Sequence, residues 1–447
     1  MLHKGMMKVQ LALKKASIRE KIKKVEARVV EELQGIGKQN FRNEIVDTLK
    51  QLEVEEKYAP NGKDNFLLFS FASEMVDLGR VNLGDYVQTL AVQNALDKTF
   101  GSCNYDFYDR NALIYYDSKH SPLRNNAVVV MQGWFANLNQ KWLPNDSLKP
   151  VYVGTHWTNG TIQYLRHLLI YRPHYFNGLE IGCRDLWTLE NCYKLGIKAY
   201  FSRCLTLTFP KRVETPKQNK VFLVGIPKEW LQYIPQDLIK DAEVIEQQSV
   251  RLDGVYMHQR YYEATSELLE RYRNEARLVI TRALHCAAPC TAMGIPAVLI
   301  AKDPKENMTR FTAVDGILPI YMLQDLQEGK VDFNPCILDI EDLKQLMLEN
   351  LKMSIQKARG EKVDEEKLCE IRKGIMEYRV CKNKMVNNVE WGGGADSCLV
   401  VPNKNTWKEN FEYSLEFVER YKILLDLLPR AKKYKKIQSV LDIGCGK

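Results

Sequence analysis

Between Phe66 and Ala301 short apolar runs alternate with amphipathic stretches, and this alternation restricts the fold of the 447-residue chain more than any other feature. The runs "FLLFSF" (66–71), "AVVVMQ" (127–132), "PVYVGT" (150–155), "LEIGC" (179–183) and "KAYFSR" (198–203) have the length and composition of buried strands. A Pro- and Lys-rich joint, "FPKRVETPKQNK" (209–220), separates them from a second series. That series comprises "VFLVGI" (221–226), "AEVIEQ" (242–247), a helix near 257–275, "RLVIT" (277–281) and "PAVLIA" (296–301). Strand–helix alternation of this kind predicts an α/β fold with layered sheets. A chain of this length exceeds one ordinary core, so two Rossmann-like domains are expected, over 58–210 and 211–325.

The flanks read differently. Ile18, Ile22, Val25, Val29, Leu33 and Ile36, then Ile45, Leu49 and Leu52, recur at helical spacing, which predicts an N-terminal helical extension over 1–57. Beyond 325 the chain is charged and helical in pattern, giving a helical C-terminal region over 326–439 that includes an irregular "EWGGGADS" (390–397). Apolar residues at 45% and charged residues at 27% are those of a soluble globular protein, and no apolar run approaches the roughly 20 residues of a membrane span. The start lacks the apolar core of a secretory signal. The 11 cysteines are scattered, with no CxxC pair and no histidine at zinc-ligand spacing, which reads as reduced thiols in a cytoplasmic protein without a metal centre.

The net charge of +8 is unevenly spread. Up to Arg28, nine basic residues face only Glu20 and Glu26, and a second basic cluster, "RAKKYKK", spans 430–436. Two readings stay open: solvated helix faces, or peripheral contact with the anionic inner face of a membrane or with acidic glycans, at about 1 kcal/mol per charge near anionic lipid. No nucleic-acid motif accompanies the basic runs, and they lack interleaved stacking aromatics.

Ligands of open α/β sheets sit beyond the carboxyl ends of strands, beside helix N-termini. Three junctions carry polar residues there. In "NLGDYVQTLAVQNAL" (82–96), Asp85 and Gln88 have capping-box spacing, and they equally suit a base and a polar contact, with Asn82 and Gly84 in the loop. In "EIGCRDLWTLENCYKLGI" (180–197), Asp185 suits an N-cap, and Arg184 reads either as a surface ion pair or as a fork for phosphate or carboxylate. In "LVITRALHCAAPCTAMGIPAVLIA" (278–301), Thr281 suits the N-cap of a small-residue helix ending at Gly294. Arg282 and His285 would stand at that helix start, as an anion contact and a proton donor or as a buried structural pair. Together they describe one cationic pocket between the two domains, suited to a small dianion.

These segments, with "MQGWF" and "GIKAYFSRCLTLTF", resemble the polysaccharide pyruvyl transferase family over roughly 66–310. The resemblance implies a GT-B-like arrangement of the two Rossmann-like domains. It also implies transfer of a pyruvyl group from phosphoenolpyruvate to two hydroxyls of a sugar in a cell-surface or lipid-linked glycan, as a cyclic ketal. No further cofactor is implied. The family's arginine of the "RD" motif falls on Arg184, and its R-L-H histidine falls on His285. The motif arginine before Leu-His is Ala283 here; Arg282 lies one residue earlier, which on a helix turns a side chain by about 100°. On this reading His285 and Asp85 are the catalytic candidates. Arg184, Arg282 and Thr281 bind the donor, and Asn82 and Gln88 the acceptor. Two other functions stay open: a GT-B glycosyltransferase using a nucleotide-activated sugar, or a non-catalytic scaffold in glycan assembly. A homo-oligomer is compatible with all three. The last residues, "VLDIGCGK" (440–447), resemble the first strand and glycine loop of a SAM-dependent methyltransferase, either as the start of a further domain or by coincidence.

Overall fold

The computed structural model describes residues 64–116, 127–136, 141–252 and 256–380. The expected N-terminal helix, the basic cluster at 430–436, "EWGGGADS" and "VLDIGCGK" all lie outside the described residues. Within them the chain is a mixed α/β protein whose sheets are parallel throughout.

The first half of the chain forms β1 (Asn65–Ser70), β2 (Asn104–Asp109), β3 (Ala127–Val130), β4 (Gly133–Phe135), β5 (Leu148–Val151), β6 (Thr155–Trp157), β7 (Ile181–Cys183) and β8 (Ala199–Phe201). They pair in the orders β2-β1-β3-β5 and β4-β6-β7-β8. Only two residues separate β3 from β4, and only three separate β5 from β6. Backbone bonds cross these gaps, from the Met131 amide to the Val151 carbonyl and from the Gly182 amide to the Tyr152 carbonyl. The run read as one strand at 150–155 is thus broken at Tyr152–Gly154, where Gly154 takes φ +73° and the strand bends. The second half forms β9 (Lys220–Val224), β10 (Glu243–Ile245), β11 (Ala276–Thr281), β12 (Ala297–Ala301) and β13 (Ile320–Met322), in the order β10-β9-β11-β12-β13. In both lobes the strand order reverses next to the first strand, which is where doubly wound sheets open a crevice.

The edge strand β2, "NYDFYD", is absent from the expected strands because its polar alternation suits a half-exposed edge rather than a buried run. The helices that matter for the site are α1 (Ala72–Leu78), α2 (Leu83–Phe100), α3 (Asn159–Tyr171), α4 (Leu186–Lys194), α5 (His258–Glu275) and α6 (Leu284–Ala292). Helix α2 is buried on almost all sides over its first turns, since it packs against β1 of its own lobe and against α5 and α6 of the other. The lobes are laced together beside it. Val81 and Val250 exchange two backbone hydrogen bonds, and the Leu83 amide donates to the Gln247 carbonyl. Two C-terminal helices, α7 (Glu341–Ala358) and α8 (Glu365–Glu377), return to cover β5 and β8 of the first lobe.

Arg203 fastens that return. It is fully buried at φ +58°, in the left-handed region that side chains avoid, and donates to the carbonyls of Ile375, Ala313, Asp315 and Tyr378 at 2.9–3.1 Å. Seven described cysteines are free thiols, whereas Cys369 is disulfide-bonded, which corrects the expectation of reduced thiols throughout. Among the described residues no helix is long and apolar enough to cross a membrane. Arg203→Ala strands the buried carbonyls of Ile375, Ala313 and Asp315, so it should cost about 3 kcal/mol or more and lower the melting temperature by several degrees. An unchanged melting temperature in thermal denaturation would show that the C-terminal helices are held elsewhere.

Candidate functional site

A cleft of about 460 Å³ opens at the carboxyl ends of the strands, between the lobes. Its position follows from local chemistry. Gly84 opens the second residue of α2 so closely to the other lobe that a Cβ would stand 2.9 Å from Asn82 Oδ1 and 3.4 Å from His285 Cβ. Asn82, not Asp85, is the N-cap of α2, its Oδ1 accepting from the Gly84 amide at 2.9 Å. The capping-box reading of Asp85 and Gln88 is therefore corrected: the helix begins three residues earlier, and Asp85 is released to face the cleft.

His285 is presented by a defect in α6. Pro289, four residues on, has no amide to give to the His285 carbonyl, and His285 adopts non-helical angles of φ −82° and ψ 18°. The freed carbonyl accepts instead from Gln247 Nε2 at 3.1 Å, and Tyr272 holds the other end of that amide at 3.2 Å. The expected helix start at Arg282 is thus too early. The helix begins at Leu284, and Thr281 does not cap it. The Thr281 hydroxyl is buried, donates to the Val224 carbonyl and accepts from the Ala283 amide, which ties β11 to β9 behind the cleft.

Arg184 follows β7 and is 1% exposed. Its Nη1 donates to Gln88 Oε1 at 3.3 Å and lies 3.4 Å from His285 Nε2, so residues from three separate junctions meet at one guanidinium. Asp185 caps α4 with Oδ1 and approaches His156 Nδ1 at 2.6 Å with Oδ2, which lies 3.6 Å from Arg184 Nε. Burial alone would raise the Asp185 pKa; His156 and Arg184 outweigh it and hold the carboxyl below its usual range. Trp134 lies flat against His156, with ring centroids 4.2 Å apart, and carries the Arg184 and Arg310 guanidiniums at 5.7 and 5.8 Å from its ring. Burial, then Arg184 and Arg310, push the His285 pKa well below the ordinary imidazole value, so the unliganded site holds a neutral imidazole.

Arg282 turns out of this wall. It stacks on Trp230 at 4.7 Å and forms a two-pronged ion pair with Glu306 at 2.9 and 3.1 Å. The same carboxylate holds Arg310 Nη1 at 2.9 Å, so Arg282 reaches the cleft only through Glu306. Gln88 also stands behind the lining, its amide spanning Asp85 at 2.9 Å and Arg184 at 3.3 Å. Asn82 lines the cleft beside Asp85.

Four charged lining residues escaped the sequence reading: Glu74, Arg80, Arg110 and Arg310. Glu74 follows "FLLFSF" by three positions, a strand-end signal of the kind used elsewhere. Nothing local marks Arg110 or Arg310. Arg110 is 3% exposed and binds Glu74 at 2.7 Å, with Asp85 at 3.7 Å. The cleft therefore has a cationic wall of Arg184 and Arg310 around His285, and an acidic wall of Glu74 and Asp85 backed by Arg110.

Residues 82–304 match the family model described as polysaccharide pyruvyl transferase. This part of the chain belongs to that family. The match carries the three junctions that meet at Arg184, and the family is one of transferases. No curated protein and no solved structure matches the chain. Glu74 and Arg310 lie outside the matched residues, so the cleft of this family member is completed by flanking segments.

Histidine-selective NMR tests the electrostatics. The His285 ring should remain neutral as pH falls through the ordinary histidine value and should titrate closer to that value in Arg184→Gln. A wild-type ring that titrates as an ordinary histidine would remove the cationic wall's hold on it.

Proposed function

We propose that the protein transfers the pyruvyl group of phosphoenolpyruvate to two hydroxyls of a glycan sugar, forming a cyclic ketal. The observation that carries this reading is the pair of guanidiniums, Arg184 and Arg310, set over one Trp134 ring beside a neutral His285. Arg184 is almost wholly buried and its Nε has no hydrogen-bond partner, a costly arrangement that an anion would relieve. A donor with a carboxylate and a phosphate needs two such forks at a fixed spacing. Arg310 takes the part expected of the arginine that Ala283 replaces, and Arg282 supports it through the shared Glu306.

The reaction needs one proton at the methylene carbon of the donor and the loss of one proton from each hydroxyl. Neutral His285 is a poor acid. Bringing a dianion between Arg184, Arg310 and His285 reverses the sign of the local field and raises the imidazole pKa. Donor binding thus loads the acid that the first step consumes, and it protects the free enzyme from carrying three adjacent cations. Once protonated, the methylene becomes a methyl group and C2 an oxocarbenium-like centre open to a hydroxyl oxygen. The acceptor enters from the side of Asn82 and Asp85, where the lining is acidic and polar. A lipid-linked acceptor at a cytoplasmic membrane face would suit the basic sequence clusters.

Calorimetry with phosphoenolpyruvate in buffers of different ionisation enthalpy tests this. Saturable binding with net proton uptake is expected, with affinity falling as pH rises. Arg184→Ala and Arg310→Ala should each weaken it at least about tenfold, near 1.4 kcal/mol, and Arg282→Ala by less. Binding of a nucleotide sugar in place of phosphoenolpyruvate would overturn the proposal.

A further inference from the structure

Glu74 and Asp85 lie together on the acidic wall, one from α1 and one from the first turn of α2, and both are more than nine-tenths buried. Both lean on one buried guanidinium, and two buried carboxylates that share a single cation resist being ionised together, which favours keeping a proton on the pair. Arg110 sits behind them, at 2.7 Å from Glu74 Oε1 and 3.7 Å from Asp85 Oδ1. One guanidinium against two carboxylates leaves charge for one proton. Arg110 is itself buried and lines the cleft, and its Nη1 has no hydrogen-bond partner, so this corner presents an unfilled donor to whatever enters.

The groups facing the pair are few. Arg110 and Arg184 favour the charged forms; Asp109, bound to the Ser73 amide, opposes them at Glu74. Burial and the Asp85 charge push Glu74 up to about 7, in spite of Arg110. From Asp85 a continuous buried path runs through the Gln88 amide to Arg184 and on to His285. The two walls of the cleft are therefore held at fixed distance by one hydrogen-bonded chain.

We propose that Glu74 and Asp85 act as a single-proton carboxyl pair that takes the proton of the attacking sugar hydroxyl. This rests on the pyruvyl transfer proposed above. In the first step the hydroxyl oxygen bonds to C2 of the donor, the π pair takes a proton from His285 at the methylene carbon, and the hydroxyl proton passes to the pair. In the second step the other hydroxyl oxygen bonds to C2 and the C2–O bond to phosphate breaks. Its proton returns to His285, and the pair's extra proton leaves with the phosphate. Two hydroxyl protons are lost, one being replaced on the methyl group and one carried off by phosphate, so the balance closes without an external acid or base. Glu74 lies outside the family-matched residues, which makes it a catalytic residue that the motifs do not reveal.

The test uses Glu74→Gln in the full chain, which keeps the shape and a hydrogen bond. Turnover should fall roughly 100-fold, the scale of a lost acid–base group. The limb of the kcat profile near pH 7 should disappear, while phosphoenolpyruvate affinity stays within about threefold. Infrared difference spectra of unliganded wild type, recorded across pH 7, should show a carboxyl band lost on ionisation and absent from the variant. Unchanged turnover and pH profile in Glu74→Gln, or no carboxyl titrating near neutrality, overturns the proposal even if wild type transfers pyruvate. A wild type that shows the carboxyl titration but no transfer overturns the hydroxyl role together with the reaction. Should the variant fail to fold, the wild-type infrared titration alone decides whether the pair holds a proton.

Discussion

The Arg184 guanidinium meets Gln88 from α2 and His285 from α6 at a point 1% exposed to solvent, and the rest of the site is arranged around that buried charge. A cation there needs neighbours that hold it without cancelling it. Asp185 is the nearest carboxylate, yet it already caps α4 and engages His156, and its 3.6 Å approach to Nε is loose. What remains is positive charge facing a cleft, with a neutral imidazole beside it. An enzyme that must bind a dianion and then protonate it gains from this order, because the acid appears only when the substrate does.

The same seam joins the lobes. The Val81–Val250 bridge and the Leu83 amide bond to Gln247 lock the entry to α2 against the second lobe. Gln247 then uses its side chain to hold the carbonyl that Pro289 leaves free at His285. A helix-breaking residue, a buried amide and a glycine that permits close approach therefore cooperate to set one imidazole at the mouth of the cleft. Removing Pro289 would act on His285 from outside the cleft lining, whereas Gly84 and Gln247 line the cleft themselves.

Much of this was legible in the residues themselves. The apolar runs placed most strands, and polar residues at strand ends pointed to Arg184, Asp85 and His285. Legibility failed where tertiary partners decide. Arg282 reads as a site residue from its spacing, but Glu306, 24 positions later, captures it, and Arg310 is carried into the cleft by the same carboxylate. Thr281 reads as a cap, yet its hydroxyl serves the neighbouring strand. Gln88 reads as a ligand contact and proves to be the strut between Asp85 and Arg184. The GT-B-like arrangement is an inference from resemblance; the described architecture is mixed α/β with parallel sheets.

The most direct measurement is the product itself. Incubation with phosphoenolpyruvate and a sugar bearing two suitably spaced hydroxyls, in deuterated water, would be followed by carbon NMR and phosphate release. The account predicts one phosphate per ketal and one deuterium in each new methyl group, because that proton comes from an exchangeable imidazole. A product that keeps its vinyl group, or a methyl group free of deuterium, would contradict it.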